Sequence, residues 1–193
     1  MFQNFVSLGQ ACSVASSMSK YGLRSWSGPF DWLVTSNFNW VLHYIENEFE
    51  DFLPREYLRR LDDNKSNDRQ FRDEQSGFIF NHDCEYAFEE QYEELKQKYQ
   101  RRIDKFLEAT TSPTCFLRNI VSQNEIDYIS SNQAYINRVI KKGNSQNEIV
   151  FIADYGLRFP AGFFYRGCRI PAMIHTGGGH FTYNELRSLF DGL

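Results

Sequence analysis

Hydrophobic and polar positions change period early in the chain. Asn4 to Leu8 is a short, mostly apolar run stopped by Gly9, and beyond Gln10 the residues Ala11, Val14, Ala15 and Met18 fall at helical spacing. The pattern predicts strand, turn and helix, with Gly22 as the helix stop. Ser27-Gly28-Pro29 then predicts a turn ahead of Phe30-Asp31-Trp32. Phe38, Val41, Leu42 and Ile45 mark a second amphipathic helix, with Ser36 or Asn37 available as its N-cap.

From Asp62 to Ser76 the chain is polar, with Phe71 its only large apolar residue, so an exposed excursion is expected there. Gly77-Phe78-Ile79-Phe80 is strand-like and ends in Asn81-His82-Asp83, after which apolar residues at 88, 92, 95, 99, 103 and 106 predict a long helix. A strand over Thr114 to Asn119, a helix marked by Ile126, Ile129, Ile136 and Ile140, and a strand over Glu148 to Ala153 continue the alternation. The tail should add a strand from Cys168 to Ile174 and a short helix from Tyr183. Such alternation favours parallel pairing, because a parallel return needs a crossover of about a dozen residues or more. The expected fold is α/β, a single three-layer domain over residues 1–193 with a mainly parallel sheet flanked by helices.

Composition narrows the function classes. Hydrophobic residues make up 41% and charged residues 24%, values of an ordinary globular chain. With 18 Phe and 11 Tyr, large rings must fill much of the interior. The net charge of -4 is spread over mixed-sign segments without a long basic run, which argues against nucleic acid as a partner and against a polybasic membrane patch. The first residues carry neither a basic n-region nor an apolar stretch, so a signal peptide and a membrane span are not expected, and a cytoplasmic location is. Cys12, Cys84, Cys115 and Cys168 are scattered with no C-x-x-C pair, so reduced thiols are expected rather than a zinc site or a disulfide framework.

Cys12 is the most distinctive chemical group. Open α/β sheets bind their ligands beyond the carboxyl ends of the strands, and Cys12 falls in such a strand-to-helix loop. A thiol in the first turn of a helix faces unpaired N–H groups and the positive end of the helix dipole, which favour the thiolate. Gly9 permits a sharp turn, and Gln10 with backbone N–H groups could stabilise an oxyanion. The competing reading is a small buried cysteine on the apolar side of its helix.

A thiol nucleophile needs a base, and the chain offers His43, His82, His175 and His180. His82 is expected at the carboxyl edge of the same sheet as Cys12, because it follows a strand. His43 reads as structural, whereas His175 and His180 flank the Gly177-Gly178-Gly179 run and are reserve candidates. Asp31, between two large aromatic residues, could orient the base or could be a turn aspartate among core anchors. Arg102 and Arg118 could bind a carboxylate or phosphate of a substrate.

Ser7-Leu8-Gly9-Gln10-Ala11-Cys12, Gly22-Leu23-Arg24, Ser27-Gly28-Pro29-Phe30-Asp31-Trp32, Asn81-His82-Asp83 and Arg101-Arg102-Ile103-Asp104-Lys105-Phe106 together resemble a bacterial family labelled papain-like cysteine peptidase. Members of that family often occur near surface-polysaccharide and glycosyltransferase genes. The resemblance implies a Cys12/His82 pair with Asp31 or Asp83 as the orienting acid, acting as a peptidase or amidase without a cofactor. Papain-like enzymes set their cysteine helix against an antiparallel sheet, whereas the βα alternation here predicts a parallel one. The strand-Gly-x-x-Cys opening also resembles polysaccharide-biosynthesis proteins thought to bind coenzyme A, and more distantly esterases with a Gly-Asp-Ser start. A second reading is therefore an acyltransferase using coenzyme A on a glycan or its precursor, with Arg102, Arg118 and Lys105 as the basic groups. A third is a non-catalytic binding module with Cys12 inert. In each case the partner is a small molecule, a peptide or a glycan.

Overall fold

The apolar runs of the sequence are drawn into two separate sheets. In the computed structural model, which describes residues 2–61, 69–154, 156–160 and the backbone of 166–170, the elements follow in chain order. They are β1 (Asn4–Ser7), α1 (Cys12–Lys20), β2 (Leu33–Val34), α2 (Phe38–Glu46), a single 3-10 turn (Arg55–Tyr57), β3 (Leu58–Arg60), β4 (Phe71–Asp73), β5 (Ile79–Phe80), α3 (Phe88–Thr110), β6 (Thr114–Ile120), α4 (Gln123–Ser131), α5 (Gln133–Ile140), β7 (Glu148–Asp154) and β8 (Arg166–Ile170). The chain is α/β, as expected. The expected helix from Tyr183 lies outside the described residues.

The first sheet is parallel, with strand order β1-β6-β7-β8 and register Val6↔Phe116, Phe116↔Ile149 and Ile152↔Cys168. Every residue of β6 is buried, the signature of a strand covered on both faces. On one face α1 lays Val14 and Met18 against Cys115, Leu117, Val150 and Ile152. On the other, α2, α3, α4 and α5 bury Phe38, Val41, Phe106, Ile126 and Ile136 in one cluster with Val6, Phe116, Ile120 and Phe151. Each such fully buried side chain contributes about 1.5–3 kcal/mol. α1 is thus fixed by its apolar stripe alone, and Gly22, at φ 68, ends it.

The second sheet was not foreseen. Strands β2, β5, β4 and β3 pair in that order, all antiparallel, with register Leu33↔Phe80, Phe71↔Phe80 and Arg60↔Phe71. Phe71, expected in an exposed excursion, is fully buried and stacks on Phe80 at 4.4 Å between ring centroids. The strand alternates, Phe71 and Asp73 inward and Arg72 outward, but three residues are too few to announce a period. The helix marked by four isoleucines is two helices, α4 and α5, separated at Asn132, whose side chain donates to Tyr128 O at 2.7 Å. No helix among the described residues is long and apolar enough to cross a membrane.

Candidate functional site

Because β1, β6, β7 and β8 are parallel, their carboxyl ends share one edge of the sheet. The turn from β1 to α1, residues Leu8 to Ala11, lies there and delivers Cys12 as the first residue of the helix. Gly9, at φ 82, is required: a Cβ on it would sit 2.2 Å from Thr35 Oγ1. Leu8 N–H donates to Leu117 O at 2.8 Å, Asn119 N–H donates to Gly9 O at 3.0 Å, and Thr35 N–H donates to Gln10 O at 2.7 Å. The turn is therefore pinned to β6 on one side and to the end of β2 on the other. Gln10 itself is half-buried.

Cys12 is half-buried and its thiol is free. The buried residues of α1 are Ser13, Val14, Ala15, Ser17 and Met18, whereas Cys12, Ser16 and Ser19 form the wetter line at i, i+4 and i+7. Ala11 at the N-cap makes no side-chain cap, so the first-turn N–H groups keep their capacity to meet an anion. Beside Cys12, the buried Ser13 Oγ has no hydrogen-bond partner in the structure. Cys84 and Cys115 are buried, and burial pushes the Cys84 thiol up to about 11.

The strand before His82 belongs to another sheet than the sequence suggested. His82 is exposed and follows β5, which belongs to the antiparallel sheet rather than to the parallel sheet that carries Cys12. The order of elements suggested otherwise because a two-residue strand gives no sign of which sheet it joins. His43 is exposed on α2, 3.2 Å from Asn47 Nδ2 and edge-on to Trp40. His175 and His180, with the glycine run between them, lie outside the described residues, beyond the carboxyl end of β8 in sequence.

Neither candidate acid is bonded to a histidine among the described residues; each is held by cations. Asp83, with no side-chain exposure, pairs with Lys98 at 2.8 Å and Arg102 at 3.0 Å and accepts from Tyr99 Oη at 2.7 Å. Asp31 is buried, pairs with Arg24 and accepts from Gly28 N–H at 2.7 Å. Burial pushes the Asp31 carboxyl up to about 6, against the pull of Arg24, the Gly28 N–H and Arg102.

The two arginines expected to bind substrate are also committed within the fold. Arg102 pairs with Asp83 and lies over the Tyr99 ring at 4.9 Å. Arg118 is sealed in the interior, 0% exposed, bonded to Glu125, Leu8 and Thr35. Burial pulls the Arg118 guanidinium down and the Glu125 carboxyl up, and the attraction of each for the other opposes both shifts. Neither arginine presents a free guanidinium for the phosphates of coenzyme A, and Lys105 stands exposed on α3. Sequence reasoning missed Thr35, Glu125, Arg24, Lys98 and Tyr99. Most of these partners are remote along the chain, Thr35 from Arg118 by 83 positions, and such contacts leave no local signal.

A cavity of about 260 Å³ opens at the opposite edge of the parallel sheet, between α2, α3 and α5. Ile45, Phe106, Phe116, Val139 and Ile140 line it, and Cys12 does not.

Comparison with known proteins agrees with the sequence resemblance at the level of the family. An uncharacterized protein of Acanthamoeba polyphaga mimivirus is 30% identical over 143 residues, which are 63% of this chain and 64% of that protein. The match thus spans less than two thirds of the relative's own length, and no solved structure matches. The family described as "Putative papain-like cysteine peptidase (DUF1796)" matches residues 3–154, from the first strand through Cys12, both acids and both arginines to the end of β7, and the chain belongs to that family.

Proposed function

We propose that the chain is a cysteine-nucleophile hydrolase of peptidase or amidase type, with Cys12 as the attacking group. The observation that carries the reading is the position of Cys12: a partly exposed free thiol opening an uncapped helix at the carboxyl edge of a parallel sheet. The Cys12 thiolate adds to the carbonyl carbon of an ester or amide, forming a C–S bond while the oxygen takes the negative charge. First-turn N–H groups, with the Gln10 amide beside them, hold that oxyanion. Collapse expels the alcohol or amine, which takes its proton from the base, and water hydrolyses the thioester to release the acid and restore the thiol.

The base is one of His82, His175 and His180. Asp31 and Asp83 enter this reading as structural acids, since their cation partners occupy them. The free thiols of Cys12, Cys84 and Cys115 support action in a reducing compartment such as the cytoplasm. A place in surface-polysaccharide assembly, with a glycan-linked ester or amide as substrate, is supported by the family resemblance.

The test is the rate of iodoacetamide alkylation at Cys12, followed peptide by peptide, in the native chain and in the same chain unfolded in urea. Native Cys12 should react about tenfold faster or more than its unfolded counterpart, the advantage expected of an activated thiolate. Equal or slower reaction refutes the proposal. Replacing His82, His175 and His180 singly with Ala should remove the advantage in one variant alone, and that variant names the base.

A further inference from the structure

We propose that Arg118 is the positioning residue of the nucleophile: its guanidinium, walled off from substrate, sets where Cys12 stands. The inference rests on the thiol reading above.

The carbonyls of Leu8, Gly9 and Gln10, just past the end of β1, each meet a donor from β6 or from the end of β2. Asn119 N–H on β6 takes the Gly9 carbonyl, and Thr35 N–H at the end of β2 takes that of Gln10. The Leu8 carbonyl is taken by Arg118 Nη1 at 2.6 Å, with the Thr35 hydroxyl a longer second donor at 3.4 Å. Arg118 also joins the two anchors to each other. Its Nη1 donates to Thr35 Oγ1 at 3.0 Å, its Nη2 donates to Thr35 O at 2.7 Å, and its Nε donates to Glu125 Oε1 at 2.5 Å. The Phe38 ring covers the guanidinium at 4.6 Å.

These contacts use four of the five N–H bonds that an arginine offers, and their planar fork is a shape that lysine cannot reproduce. Thr35 depends on the same fork: its carbonyl and its hydroxyl both accept from Arg118, while its N–H holds Gln10 two residues before Cys12. The side chain that a reader of the sequence would offer to a substrate phosphate is thereby the keystone of the turn. Glu125 makes this affordable by compensating the buried charge, and it ties the turn to the first turn of α4 as well. A reacting thiol displaced by a fraction of an ångström loses much of its advantage, because attack needs a near-attack geometry.

Arg118→Lys keeps a cation beside Glu125 and gives up the fork. In this variant native alkylation of Cys12 should slow by about tenfold or more, with Cys115 still protected. A purely structural role predicts the opposite sign, since a loosened fold would expose Cys115 and raise labelling at Cys12 and Cys115 together. Thr35→Val, which removes the hydroxyl that accepts from Arg118 Nη1 and donates to Leu8 O at 3.4 Å but keeps the backbone acceptor, should slow Cys12 less, in the same direction, and decides the matter if Arg118→Lys does not fold. An unchanged Cys12 rate in the folded variants, or a joint rise at Cys12 and Cys115, overturns the proposal while leaving the thiol reading intact. A wild-type Cys12 no faster than its unfolded counterpart refutes the thiol reading first and this inference with it.

Discussion

Replacing Gly9 with alanine tests whether the turn before Cys12 is as tightly specified as its contacts imply. Two costs add. A side chain at φ 82 sits in the left-handed region, which costs an L-residue about 1–2 kcal/mol. The added methyl would meet Thr35 Oγ1 at 2.2 Å, and that oxygen is held by Arg118 Nη1 at 3.0 Å, so relief of the clash means displacing a buried, bonded hydroxyl. Overpacking of this kind costs about 1–3 kcal/mol, and a weakened hydrogen bond about 1 kcal/mol more. The sum is about 3–6 kcal/mol, enough to consume much of the stability of an ordinary domain. Urea unfolding followed by the fluorescence of Trp26, Trp32 and Trp40 measures it directly. Thr35→Ala removes the clashing oxygen but not the backbone cost, so in a double-mutant cycle the two changes should couple favourably by about 1–3 kcal/mol. A Gly9→Ala variant within about 1 kcal/mol of wild type, or a cycle without coupling, refutes the reasoning.

Three further outcomes follow from buried polar groups. Asp31 has a folded-state pKa raised from 3.8 to about 6, so the native state binds the extra proton between those values and the contribution of this group to stability falls as pH rises through them. The loss is up to about 3 kcal/mol, read as the change with pH in the stability difference between wild type and Asp31→Asn; a difference that stays flat from pH 4 to 7 contradicts it. Asp83→Ala strands Arg102 and Lys98 and should cost about 3 kcal/mol in chemical denaturation, with Cys12 alkylation unchanged in the folded variant. Slower Cys12 chemistry there would return Asp83 to the reacting centre. Asn147, fully buried, accepts from Thr114 N–H at 2.9 Å and donates to Thr110 O at 2.9 Å and Ile140 O at 3.2 Å, so Asn147→Ala should lower stability by about 2–4 kcal/mol. A melting temperature equal to wild type would show that those groups find other partners.

Much of this protein is written locally. The strand-Gly-helix pattern around Gly9 fixes β1, the turn and α1, and it places Cys12 at the first helical residue because the apolar stripe of Val14, Ala15 and Met18 allows only one face inward. Asn37 caps α2 through its own side chain, accepting from Asn39 N–H at 3.1 Å, and the spacing from Phe88 to Phe106 is long enough to fix α3 unaided. The continuous apolar run of β7, Ile149 to Ala153, announces a strand buried on both faces, whereas the equally buried β6 carries Thr114, Arg118 and Asn119. These are properties of neighbours within a few positions, where period and capping operate.

Which groups meet was decided only in three dimensions. The strands of the second sheet are two or three residues long, and their pairing brings Leu33 to Phe80 and Arg60 to Phe71 across loops whose composition is silent about the partner. That pairing puts the strand before His82 in a different sheet from the one that carries Cys12. Asp31, Asp83, Arg102 and Arg118 all look in the sequence like groups waiting for a substrate, and each is instead neutralised inside the fold. The physical reason is common to all four: a charge that leaves water must find a counter-charge, and the chain supplies it from wherever the packing brings one. Local sequence determines which side chains can act; burial determines which remain accessible, and of the candidate groups described it left Gln10 and Cys12 half-buried and His82 exposed.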